Sequence, residues 1–89
     1  MQLVSKKAVG QWLLLSLLSE QRELLERTRQ FQAKYGVDFS DFEKQLQKQE
    51  HEIVGQWEDF IEWQSVNTAL AEIRTKIKDV EDGAIRVVD

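Results

Sequence analysis

Two apolar seams run through this chain, and both are written in the period of an α-helix. Leu14, Leu17, Gln21, Leu24, Thr28, Phe31 and Tyr35 are spaced alternately three and four, and Trp63, Val66, Leu70, Ile73, Ile77 and Val80 keep the same spacing. A helix turns once in about 3.6 residues, so that spacing lines these positions, all apolar except Gln21 and Thr28, along one face of each helix. No proline interrupts either run, and only four glycines are present. Proline would remove a backbone donor and kink the helix, so its absence leaves long helices free to form.

The first seam predicts a helix over residues 3–34, with Leu18 and Leu25 widening its stripe. Arg22 with Glu26 and Glu23 with Arg27 stand four apart, the separation at which opposite charges meet on a helix surface. Gly36 after Tyr35 marks the stop, because glycine takes the left-handed turn that ends helices. Ser40 with Glu43 reads as a capping box, starting a second helix near Asp41 with Phe42 and Leu46 inward. Residues 47–52 are polar and carry no strong breaker, and Gly55, costing about 1 kcal/mol inside a helix, does not decide between two readings. The second helix runs on to about Val80, or it stops near Gln49 and a third begins around Gln56; a break between Glu50 and Gly55 is the slightly favoured reading. Glu72 and Lys76 support the outer face of the last helix, and Asp82-Gly83 is a turn signal. The expected fold is all-α: an antiparallel helical hairpin or three-helix arrangement, with two long helices and a short middle one. Residues 1–82 form the helical domain, and residues 83–89, β-branched and short, form an extended C-terminal tail.

At 89 residues the chain makes one domain at most, with a modest core that gains from a partner. A net charge of −4 and a pI near 5.0 argue against nucleic-acid binding by the chain itself and suit a basic partner. Absent cysteines exclude disulfides and thiolate metal sites. His51 is the only histidine and sits between Glu50 and Glu52, with no catalytic context. No catalytic, cofactor-binding or metal-binding residues are expected, and the chain reads as a non-enzyme. Glu58, Asp59 and Glu62 form an acidic face without the Glu-x-x-His motifs of a di-iron bundle. The apolar block from Trp12 to Leu18 follows Lys6 and Lys7 as a signal peptide would. It is far shorter than the roughly 20 residues of a membrane span, and it lacks small residues at a cleavage site. A cytoplasmic location, with no membrane contact, is the expectation.

The tetrapeptide VGQW occurs at 9–12 and again at 54–57. Matches beyond it are those any two amphipathic helices would give, so the repeat reads as coincidence. Each copy opens a stretch that is apolar on more than one side: Trp12, Leu13 and Leu15 lie off the first seam, and Trp57 and Ile61 off the second. Either a compact three-helix core wraps Trp12 and Trp57, or these residues form an exposed interface. Tryptophan is a frequent interface anchor.

The segments FQAKYGVDFSDFE at 31–43 and HEIVGQWEDFIEWQ at 51–64 resemble a group of small acidic helical proteins of bacteria and archaea. In that group a charged first helix ends in a Tyr-Gly turn. A Phe-x-x-Phe-Glu segment and an acidic-aromatic stretch follow, here Asp59-Phe60-Ile61-Glu62-Trp63. The resemblance implies an antitoxin-like partner of a toxin–antitoxin module, a protein that neutralises a small basic toxin by direct contact. Trp57, Asp59, Phe60, Glu62 and Trp63 are the expected contact residues. Ile85 and Val87 of the tail are expected as a second arm that adds a strand to a partner's sheet edge. The seams themselves support a rival, a homodimeric helical bundle or coiled-coil scaffold with no toxin partner. The two readings share the expectation of a homo-oligomer.

Overall fold

Gly36 sets the length of the first helix. Its φ of 71° lies in the left-handed region, and its N–H donates to the Gln32 carbonyl at 2.7 Å, closing the last turn. The computed structural model describes residues 6–51 and 53–83, which form three helices: α1 (Lys6–Tyr35), α2 (Phe39–Lys48) and α3 (Val54–Glu81). The fold is all-α, two long helices and a short middle one, and no strand occurs among the described residues. The tail with Ile85 and Val87 lies outside the described residues.

α1 and α3 run antiparallel. Phe31 stacks on Trp63 with ring centroids 5.3 Å apart, whereas the earlier Leu17 clusters with the later Ile73 and Ile77. Both seams face inward as the spacing predicts. Leu17, Phe31, Trp63, Val66, Leu70, Ile73 and Ile77 are buried, and the remaining seam positions are half-buried.

The start of α2 differs from the expected capping box. Asp38, not Ser40, is the N-cap; its carboxylate accepts from the Asp41 N–H at 3.0 Å, and the helix begins at Phe39. Aspartate and serine cap about equally well, so caps alone do not decide the start. Packing does: the earlier start brings Phe39 onto the helix, where it stacks on Phe60 at 5.3 Å and meets Trp63 edge-on at 5.5 Å. Phe42 and Leu46 are buried as expected. α2 ends at Lys48 and α3 begins at Val54, with Gln49 Nε2 donating to Gln56 Oε1 between them at 2.9 Å. Gly55 therefore lies in the first turn of α3 and does not precede the helix.

The core has two parts. At the closed end Phe31, Phe42, Leu46 and Trp63 form an aromatic cluster, flanked by half-buried Tyr35, Val37, Phe39, Trp57 and Phe60. At the open end Leu17, Ile73 and Ile77 form an aliphatic cluster, flanked by Leu13, Leu14, Leu24 and Val80. Trp57 and Trp12 thus part company: Trp57 packs on the aromatic cluster, and Trp12 is 62% exposed. The three-helix core wraps the first and not the second. The expected pairs along single helices are not among the ion pairs of the described residues. Arg27 reaches Glu62 on α3, and Glu26 pairs with Arg29 at 3.3 Å.

Truncating Trp63 to alanine should lower stability by about 3–5 kcal/mol in urea unfolding, the range for a large aromatic removed from a core. Trp12→Ala should change it by less than about 0.5 kcal/mol, as expected of an exposed side chain. Equal losses at the two sites would contradict the burial described above.

Candidate protein-binding surface

The stretch Asp59-Phe60-Ile61-Glu62-Trp63 faces inward for most of its length. Trp63 is 1% exposed at the centre of the aromatic cluster, so its expected role as a contact residue is corrected to a core role. Its position on the second seam decides this: a residue that faces α1 each turn cannot also face a partner. Phe60 is half-buried against Phe39, and Trp57 meets Phe60 edge-on at 5.6 Å. Asp59 accepts from Lys34 Nζ at 2.6 Å and from the Tyr35 hydroxyl. Glu62 accepts from Arg27 Nε at 2.6 Å, and the same arginine lies over the Phe31 ring, 4.5 Å from its centroid. These two carboxylates join α3 to α1.

The clamp at Asp59 is electrostatically one-sided. The hydrogen bond from Lys34, then that from Tyr35, holds the Asp59 carboxyl below its ordinary range. Burial, and then the neighbouring carboxylate, pushes the Tyr35 phenol up, and the bond to Asp59 raises the Lys34 ammonium. Each group is thereby held in the protonation state that the contact needs.

What remains on the surface is different. Among the described residues the large exposed apolar side chains are Trp12, Leu15 and Leu18 on α1 and Ile53, Val54 and Ile61 at the start of α3, with Leu15 at 64%, Val54 at 71% and Ile61 at 63%. Val54, Glu58, Ile61 and Ser65 are spaced four-three-four and share the outer face of α3. Beyond them a shallow groove is lined by Ile61, Gln64, Ser65, Thr68, Ala69 and Glu72. On α1, Leu18, Arg22, Leu25 and Arg29 repeat the four-three-four spacing and, with Gln21, line another groove. Sequence reading placed Ile61 off the seam but did not join it to Val54, seven residues before it; that interval of two turns was the available signal.

Among the described residues no group of three His, Cys, Asp or Glu side chains is placed to hold a metal, and no helix is long and apolar enough to cross a membrane. The model of a family described as "Uncharacterized protein MJ0235 family" matches residues 2–85. No curated protein and no solved structure matches the chain.

The sign of the pH dependence follows from the clamp. A depressed carboxyl stabilises the fold above its unfolded value of about 3.9, and that contribution is lost as pH falls through the lower folded value. The raised phenol and ammonium stabilise below about pH 10, and their contribution is lost as pH rises through their folded values. Stability should therefore be flat between these limits and fall on both sides. Asp59→Asn should lower the plateau and flatten the acid limb, and Tyr35→Phe should cost about 1 kcal/mol, one hydrogen bond. Unchanged acid limbs in urea titrations of Asp59→Asn would refute the clamp.

Proposed function

The chain belongs to the MJ0235 family, and we propose that it is a non-catalytic protein-binding module, an antitoxin-like hairpin that holds a basic partner along the outer face of α3. The observation that carries this reading is the stripe Val54, Glu58, Ile61: two exposed aliphatic side chains with a carboxylate between them and no ion pair to that carboxylate among the described residues. Apolar anchors give such a contact its affinity, and the carboxylate selects a cation opposite. Between Val37 and Glu62 the sequence holds eight carboxylates against two lysines, which favours approach of a basic surface to this end. Glu58 and Ile61 replace Asp59, Glu62 and Trp63 as the contact residues, while Trp57 and Phe60 pack on the aromatic cluster on the inner side of α3. The resemblance in the same segment supports the toxin-neutralising form of this reading. The chain is read as acting in the cytoplasm, free of membrane and nucleic acid.

A second reading, a homo-oligomeric helical scaffold, is favoured by Trp12, Leu15 and Leu18, three exposed apolar residues within two turns of α1.

The product of the neighbouring gene, co-expressed with this chain, should co-purify as a stable complex. Val54→Ser with Ile61→Ser should release it while leaving the melting curve of the hairpin unchanged, and Glu58→Lys should weaken it most at low salt. A partner whose activity is unaltered by excess hairpin would sink the neutralising role.

A further inference from the structure

Two stripes on opposite helices of this chain are complementary to each other. On α1 the order is Leu18, Arg22, Leu25, Arg29; on α3 it is Val54, Glu58, Ile61, Ser65. Each position of one lies 36 residues from its counterpart, so the two stripes share the same four-three-four spacing, with Leu25 half-buried and the other positions exposed. Laid side by side in parallel, Leu18 meets Val54, Arg22 meets Glu58, Leu25 meets Ile61 and Arg29 meets Ser65. Apolar positions meet apolar ones, and the one opposed pair of full charges has opposite sign.

We propose that these stripes bind one another between copies, α1 of one chain lying parallel to α3 of the next. The occupant of the α3 stripe is thus a second copy of this chain, and several observations converge on it. Leu18 on one stripe and Val54 and Ile61 on the other are large apolar side chains left exposed, so a single contact covers all three. Arg22 and Glu58 make no ion pair within the chain among the described residues, and Arg29 holds Glu26 only in a solvent-exposed pair. Such an exposed pair contributes little and does not compete with a new neighbour.

The contact is heterologous: the surface given differs from the surface received. Each copy therefore keeps one stripe free, and association continues into a ring or an open row where a two-fold contact would stop at a dimer. The contact spans one helix pair, short for a stable interface, so assembly depends on concentration. The self-contact stands apart from the basic-partner reading. It makes the α1 stripe an internal competitor for the same face of α3, and it identifies an aliphatic–cationic helix as the shape that face selects.

Analytical ultracentrifugation across a concentration series tests this. The wild-type mass should keep rising past two copies, and high salt should reduce the rise. Leu18→Ser with Arg22→Glu disables the α1 stripe, and Val54→Ser with Ile61→Ser disables the α3 stripe. Each double variant alone should be monomeric, with an unchanged helical circular-dichroism signal. An equimolar mixture of the two should give a 1:1 dimer that grows no further, because it holds one intact stripe of each kind. Arg22→Glu and Glu58→Arg singly should each weaken assembly, and combining them in one chain should restore it. Self-association of either double variant alone, a mass that stops at two for the wild type, a monomeric wild type, or no dimer in the mixture would each overturn the proposal. These outcomes are read without any partner protein, so they are independent of the co-purification experiment.

Discussion

The packing around Trp63 holds the three helices in one arrangement. Phe31 arrives from α1, Phe39 and Phe42 from α2, and Tyr35 from the end of α1, all with ring centroids within 6.5 Å of the indole. α2 has 10 residues, too few to be helical alone in water, and it stays helical because its apolar side lies on this ring cluster. The charged clamps, Lys34 to Asp59 and Arg27 to Glu62, flank the same region and are partly solvated. Exposed ion pairs contribute little, so they set alignment more than strength. The Trp63 Nε1–H is buried without an acceptor among the described residues. An unmet buried donor costs about 1–3 kcal/mol, and the aromatic burial around it outweighs that cost.

Most of the architecture was legible in the residues. Seam positions such as Leu17, Ile73 and Ile77 could be read because burial on a helix must recur with its turn. Gly36 could be read because few other residues enter the left-handed region. The start of α2 could not: Asp38 and Ser40 are both competent caps, and what chose between them was the burial of Phe39 against Phe60, a contact between residues 21 apart in sequence. Arg27 shows the same gap for charges. Its sequence neighbour Glu23 is at helical distance, yet its partner is Glu62, a choice made by which face of α3 lies across from it.

The surface was harder still. Trp63 and Ile61 are two residues apart with similar apolarity, and one is in the core while the other is 63% exposed. Only the phase of the helix separates them, and that phase is fixed by the partner helix. The stretch that looked most like a contact motif is thus mainly an internal joint, and the exposed residues beside it are those a binding reading now rests on. The carboxylates divide in the same way: Asp59 and Glu62 hold the helices together, and Glu58, one residue before Asp59, is exposed and makes no ion pair among the described residues.

The division of the core into an aromatic end and an aliphatic end also shapes how the native state opens. At the closed end three helices surround the buried rings; at the open end two helices share a smaller cluster whose flanking leucines are half-buried. Local opening free energies follow such packing. The hairpin therefore parts from its open end toward its closed one, in the manner of a clip with a stiff spring. Amides near Leu17 and Ile77 should therefore exchange with solvent through smaller openings than those around Phe31 and Trp63.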